Sequence, residues 1–427
     1  MVKNIVITHG YSDSNKGDLA ITQATIDGIR KNNPDANITL LSVYREDDPD
    51  FWYHNRKMKE NHITIMQGIL STPYIGTESS FIINLLAVFR LLSDYLKLTV
   101  SLFSGFLGKY LGGKQYKALQ KLKMADLVVI KGGQFIYNDR EDLRGNLFLW
   151  RTLQPINVAR KLNKKIVLMG QSIGGFASSK SEKTAIKYLK LCDKIVVRER
   201  LSYELLEKYS VKNVLLKPDT AFYINRKQTK LDFKQFTNKE VFGITVVNWS
   251  FPESPDADKA KKQYTDSLIT VIENAFTRYD LFPVFIPQVT VRHHGKSDLD
   301  LINSITKILE QKKIPFYTVE EDFDAAEMVD IYSKCKLLIG TRLHSCILAA
   351  NAATPVIAIR YQGYKTQGVM KMLGLENLVH DINNLEAEKL EKDLEFVIAN
   401  HEQLHERVKQ KVFKMRQELE EVFKDLF

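Results

Sequence analysis

The chain has 427 residues, 44% of them hydrophobic and 26% charged, with a formal net charge of +10. That length is too great for one ordinary core and points to two domains of about 100–200 residues each in a folded soluble protein. No Lys/Arg block is interleaved with aromatic residues, which argues against nucleic acid and leaves the positive charge to a solvated Lys-rich surface or to an anionic partner.

The first residues, 2–8, read as a β-strand and not as a charged n-region followed by a long apolar stretch, so no secretory signal is expected. Residues 18–32 carry Leu19, Ile21, Ile26 and Ile29 at helical spacing. Strands follow at 38–43, 126–130, 165–169 and 194–197, each ending in a polar or glycine-rich turn. Continuous apolar strands separated by helices indicate a parallel sheet covered on both faces, with ligands at the carboxyl ends of its strands.

Residues 81–107 are very apolar, but Arg90, Asp94 and Lys97 interrupt them on one helical face. A spanning helix wants about 20 largely uncharged residues, so one or two buried or surface-lying helices are expected, either packed on the domain or docked on a membrane. A polar stretch from Asn225 to Glu240 reads as a linker. The alternation then resumes. Strands are expected at 241–247, 283–287, 316–319, 337–339 and 356–359, and helices at 264–278, 298–311, 327–333 and 345–351. Residues 386–426 are charged, free of glycine and proline, and helical in pattern; they are expected to brace the two domains. Cys192, Cys335 and Cys346 form no CxxC pair, which argues against zinc and disulfides and fits a reducing cytosol.

The most informative stretch is Gly340-Thr341-Arg342-Leu343-His344. A buried strand runs into Gly340, the turn carries Thr341, Arg342 and His344, and an apolar helix starts at about Ser345. A helix N-terminus offers free N–H groups and a positive dipole end, which favour phosphate or carboxylate. Arg342 adds a bidentate grip, and His344 is the side chain best suited to proton transfer near neutral pH. The structural alternative is a histidine that merely caps a buried helix. Asp18 either orients or deprotonates a hydroxyl or caps its helix, and Asn15 is read the same way. Gly132-Gly133 and Gly174-Gly175 either admit a ligand close to the backbone or form plain turns. His293 and His294 point in divergent directions, so they do not chelate one metal, and Asp298 fits a helix N-cap. No GxGxxG follows the first strand and no carboxylate cluster demands a metal, so no cofactor is called for.

Several pieces, in order, resemble the polysaccharide pyruvyl transferase family: the loop from His9 to Asp18, the Ala125–Gly133 strand, the Gly170-Gln171-Ser172-Ile173-Gly174 loop, the Val197-Arg198-Glu199 turn, Lys217-Pro218-Asp219, and the Gly340–His344 stretch with its flanks. The resemblance implies an α/β fold of two Rossmann-like domains in a GT-B-like arrangement. Residues 1–225 would form the acceptor side with a helical insert at about 78–122, residues 240–385 the donor side, and 386–427 the C-terminal helices. It implies a cytoplasmic enzyme, free of cofactor, that moves the enolpyruvyl carbons of phosphoenolpyruvate onto two sugar hydroxyls of an exopolysaccharide or lipid-linked oligosaccharide, with peripheral membrane contact at the inner face as an open option. Arg342 and His344 carry over as donor contacts, with Thr341 and Gly340 in the same loop, Arg198 and Lys365 as further cations, and Asn15, Asp18 and Gly133 toward the acceptor. Whether His344 is the acid or only binds phosphate stays open.

Two departures stand out. Where family members carry an arginine after the strand at Gly243, this chain has Val247-Asn248-Trp249, and Gly175 replaces a proline. A GT-B-like glycosyltransferase using a nucleotide sugar, and a non-catalytic module of a polysaccharide assembly complex, are the competing readings.

Overall fold

The computed structural model of the protein describes residues 2–72, 81–291, 297–363 and 365–427. The chain divides into two compact units. The first holds Met1–Asp13, Ile21–Thr220 and Glu418–Phe427; the second holds Ser14–Ala20 and Ala221–Gln417.

The first unit is built on a parallel sheet of β1 (Asn4–Gly10), β2 (Asn37–Ser42), β3 (Thr64–Gln67), β4 (Leu127–Ile130), β5 (Gly133–Asn138), β6 (Lys165–Phe176), β7 (Lys194–Val197) and β8 (Val214–Leu216). The spatial order is β3-β2-β1-β4-β6-β7-β8, with β5 paired on β6. Val128, Ile130, Leu168 and Ile195 are fully buried and pack with Leu119 and Leu153 from the helices Gly113–Met124 and Leu143–Lys161. Strands buried on both faces need apolar residues at every position, which is why β4, and β7 after its half-buried Lys194, read as unbroken apolar runs. The strand order reverses between β1 and β4, the place where such sheets open a crevice. The short β3, β5 and β8 were not expected, since none carries a long apolar run.

The apolar segment forms the helices Phe81–Phe103 and Gly105–Leu111, outside the sheet layer. Phe81–Phe103 packs over Gly113–Met124, which itself packs on β1 and β3. Ala87, Leu91, Asp94, Leu98 and Ser101, at alternating spacings of four and three, form its buried face. Asp94 is paired there with Arg45 at 2.6 Å. No helix among the described residues is long and apolar enough to cross a membrane. The first unit is completed by Glu418–Phe427: Phe423 is fully buried against Gly28, where a Cβ would lie 2.4 Å from its ring, and Lys165 Nζ donates to the Leu426 carbonyl at 2.7 Å.

His9, the next-to-last residue of β1, has φ of 65° and stacks on Phe135, ring centroids 4.4 Å apart. Its Nε2 lies 2.9 Å from the Thr152 carbonyl and its Nδ1 2.8 Å from Thr8 Oγ1. A carbonyl only accepts, so Nε2 carries the proton and Nδ1 accepts from the hydroxyl. Burial lowers the His9 pKa to about 3; the Thr152 carbonyl opposes this, and Arg151 and Lys131 add to it. The unfolded chain therefore binds a proton that the folded chain refuses. The stability this contributes is complete above the ordinary histidine value near 6.5 and is lost as pH falls toward 3. Between pH 7 and pH 5 the wild type should lose about 1–2 kcal/mol more than His9→Asn, read from urea midpoints at the two pH values. Equal losses would show that His9 protonates freely in the folded state.

The second unit carries β9 (Glu240–Thr245), β10 (Leu281–Phe285), β11 (Tyr317–Thr318), β12 (Cys335–Gly340), β13 (Val356–Arg360) and β14 (Val379–Asp381). All pairs are parallel, in the order β11-β10-β9-β12-β13-β14, so the order reverses between β9 and β12. The stretch read as a linker is held within this unit: Asp330, fully buried, accepts from Arg226 Nε at 2.7 Å and from Thr229 N at 2.9 Å, and Lys227 pairs with Asp324. Its basic and hydroxylated residues serve buried carboxylates, a use that composition alone does not distinguish from solvation. The charged C-terminal region forms the helices Ala387–Ala399 and His401–Lys424.

Candidate functional site

The Gly340–His344 loop stands where the second sheet reverses its strand order. β12 ends at Gly340, next to the end of β9 at Thr245. Thr341 N donates to the Thr245 carbonyl at 3.1 Å, and Thr245 Oγ1 lies 2.8 Å from Ser345 Oγ. Thr341 Oγ1 is 2.9 Å from the hydroxyl of Tyr264, which is fully buried and whose pKa burial raises. Arg342 occupies the N-cap position of the helix Leu343–Asn351, without a side-chain cap. The loop backbone is thus fixed from below, leaving the Arg342 and His344 side chains to be placed by other contacts.

Arg342 is placed by Asp298. Its Nη2 donates to Asp298 Oδ1 at 2.6 Å, while Asp298 Oδ2 accepts from the backbone N–H of Gln288 at 3.0 Å and of Val289 at 2.9 Å. Burial raises the Asp298 pKa against the pull of Arg342 and the two amides. Burial also works against the Arg342 charge, but Asp298 and Tyr361 outweigh it and its pKa is raised. The guanidinium carbon lies 5.8 Å from the centroid of the Tyr361 ring, which Trp249 meets edge-on at 5.0 Å. Arg342 Nε is buried and has no acceptor among the described residues. A buried cationic N–H in that condition is suited to an anion that supplies one.

The N-terminal turn belongs to this site and not to the first unit. Lys16 N donates to the Gln288 carbonyl at 2.9 Å, Thr290 N donates to the Ser14 carbonyl at 3.0 Å, and Asn15 bridges Val289 in antiparallel fashion. The Lys16 side chain, 5% exposed, pairs with Asp322 and donates to the Phe323 carbonyl at 2.7 Å. This brings Gly17 onto His344: a Cβ at position 17 would stand 2.4 Å from Nδ1 and 2.7 Å from Cγ. Only glycine allows that approach.

The cap readings are reassigned. Asn15 Oδ1 accepts from Gly17 N at 3.2 Å and Asp18 N at 3.4 Å, so Asn15 caps the helix Lys16–Asn32. Asp18 lies in the first turn, with Oδ2 receiving the Asn15 amide at 2.8 Å. Likewise Ser297 caps the helix Asp298–Gln311, which frees Asp298 for Arg342. His293 and His294 lie outside the described residues. Lys365 opens the helix Lys365–Leu373 of the same unit, after β13.

Two candidates fall elsewhere. Arg198 and Gly133 belong to the first unit. Arg198 is buried at the end of β7, donating to Asp219 at 2.6 Å and to Ser172 Oγ at 2.8 Å, so its charge is already balanced. Gly133 opens β5 and pairs with Gln171 of β6. The site therefore gathers Asn15, Gly17, Asp18, Asp298, Gly340, Thr341, Arg342, His344 and Tyr361. Gly17, Tyr361 and the pairing role of Asp298 were missed; a serine before Asp298, itself a better cap, was the available signal.

The polysaccharide pyruvyl transferase family model matches residues 15–363. The chain belongs to that family. The match begins at the Asn15 cap and contains every residue of the gathered site. Across the sequence the chain is 26% identical, over 95% of its length and 94% of the relative, to the amylovoran biosynthesis protein AmsJ of Erwinia amylovora. Among solved structures it resembles the UDP-GlcNAc 2-epimerase of Methanocaldococcus jannaschii (TM-score 0.53, 12% identity, 92% of each chain) and UGT73P12 of Glycyrrhiza uralensis (TM-score 0.57, 10% identity, 100% of this chain and 96% of the other). At such identities the likeness shows the fold: two α/β units of the GT-B kind.

Proposed function

We propose that this pyruvyl transferase takes the enolpyruvyl group of phosphoenolpyruvate and joins it as a cyclic ketal to a sugar of an exopolysaccharide. What carries the reading is the juxtaposition, in one unit, of a partly buried arginine with a buried, unused Nε–H, a helix N-terminus and a histidine against the Asn15–Asp18 turn. Arg342 and the helix start hold the donor's anionic groups, and Lys365, which opens a helix of the same unit, is the candidate for a further positive charge. In this reading His344 hands a proton to the donor methylene, leaving oxocarbenium character at C2. A sugar hydroxyl forms a bond to C2 and gives its proton to a base, for which Asp18 is the candidate. The C2–O bond to phosphate breaks, a second hydroxyl bonds to C2 to close the ring, and its proton leaves with the departing phosphate. The fixed cations lower the cost of charge on the departing phosphate.

Trp249 belongs to the stretch that stands in place of the family's arginine, and it meets Tyr361, whose ring faces Arg342, so the reading puts an aromatic wall beside Arg342 in place of one cation. The test is phosphate release from phosphoenolpyruvate with oligosaccharide acceptors, run beside nucleotide sugars. Acceptor-dependent phosphate release supports the reading. Nucleotide release without any need for phosphoenolpyruvate would replace it with glycosyl transfer.

A further inference from the structure

The helices Phe81–Phe103 and Gly105–Leu111 carry a second apolar face, opposite the one that packs. Leu85, Phe89, Leu92, Leu96 and Phe103 recur at spacings of four, three, four and seven, and all are exposed. Phe106 continues the stripe on the next helix. Phe103 is 89% and Phe106 72% exposed, values that a soluble surface rarely allows for adjacent aromatic side chains. Of the twenty large apolar side chains exposed among the described residues, eleven fall between Leu85 and Leu111, so this is one patch and not scatter. A helix that is apolar on both faces is either sunk in a core or meets an apolar phase. Here one face meets the protein and the other is open among the described residues.

The charges around the patch choose its occupant. From Leu85 to Met124 the only acidic residue is Asp94, which is buried with Arg45. The rest are basic: Arg90, Lys97, Lys109, Lys117, Lys121 and Lys123, with Lys114 partly matched by Glu46. A second copy of the chain would set these like charges against each other. An anionic bilayer would accept both the apolar stripe and the basic residues around it, the combination that holds helices in the plane of a membrane surface. We infer that this helical pair is a membrane-docking surface for an anionic lipid leaflet. It lies in the interface without crossing, in keeping with the absence of any helix among the described residues that is long and apolar enough to span. The inference does not depend on the donor or on pyruvyl transfer.

The test is co-sedimentation of the full chain with vesicles of equimolar phosphatidylglycerol and phosphatidylcholine, and with phosphatidylcholine alone. The wild type should bind the anionic vesicles, bind neutral ones more weakly, and be released by salt. Phe103→Asp with Phe106→Asp should lower partitioning by at least about tenfold, since two exposed aromatic anchors are lost. Lys109→Glu with Lys117→Glu should weaken binding to anionic vesicles alone. Both pairs are exposed, and circular dichroism checks that they fold. A wild type that stays in the supernatant, or a double aspartate variant that binds as well as wild type, would overturn the inference. So would a dimer in solution that the aspartate variant dissolves, which would assign the face to a second copy.

Discussion

His344→Gln should reduce acceptor-dependent phosphate release by about 10²–10⁴-fold, the range a positioned general acid contributes. The way the loss divides tells the two roles apart. If His344 delivers the proton, kcat falls and KM for phosphoenolpyruvate changes little. If it only grips the phosphate, KM carries the loss. Gly17→Ala is the companion experiment, because it leaves the imidazole in the protein but forces its ring away from a Cβ that would stand 2.4 Å from Nδ1. It should reproduce most of the His344→Gln defect while the thermal melt stays near wild type. Full activity in Gly17→Ala would show that the His344 position is not what the reaction uses.

Asp298→Ala should destabilise the second unit by about 2–4 kcal/mol, because it strands a mostly covered guanidinium and leaves two backbone amides without their acceptor. Asp298→Asn keeps an acceptor oxygen and loses the charge, so it should fall between Asp298→Ala and wild type. Equilibrium urea unfolding measures both. A second readout separates support of the fold from placement of Arg342. Stabilisation by saturating phosphoenolpyruvate should shrink in Asp298→Asn even at temperatures where that variant is folded. Unfolding curves for Asp298→Ala that overlay wild type would mean the pair is not closed in solution.

Much of the fold was readable from the chain because buried parallel strands demand uninterrupted apolar residues, and the runs at 126–130, 194–197 and 337–339 have no other use. The short strands escaped: Thr64–Gln67 and Val379–Asp381 lie at sheet edges, where polar residues are tolerated. The loop at Arg342 and His344 was legible through its strand–turn–helix pattern. Its supports were not. Asp298 is 44 residues from Arg342 and looks, locally, like any acid opening a helix. The placement of Asn15 and Asp18 was misread for a related reason. A loop between a strand and a helix of one sheet is naturally assigned to that sheet, and only the pairing with residues 288–290 moves it to the other unit. Arg198 shows the converse: a basic residue at a strand end looks available until its partner, Asp219, is seen.

The division of the chain has a consequence for how it comes into being. The first unit is begun by β1 but is not whole until residues 418–427 arrive, with Phe423 seated on Gly28 and Lys165 reaching the Leu426 carbonyl. On a ribosome, where chains emerge N-terminus first, that unit must wait through synthesis of the entire second unit with part of its apolar surface uncovered. The second unit, for its part, draws on Ser14–Ala20, made long before the rest of it. Neither unit is a contiguous stretch, so cutting the gene at residue 220 yields two pieces that each lack a component. Nascent chains halted before residue 418 should remain protease-sensitive in the first unit, and a free peptide of residues 418–427 is the simplest means of completing it from outside.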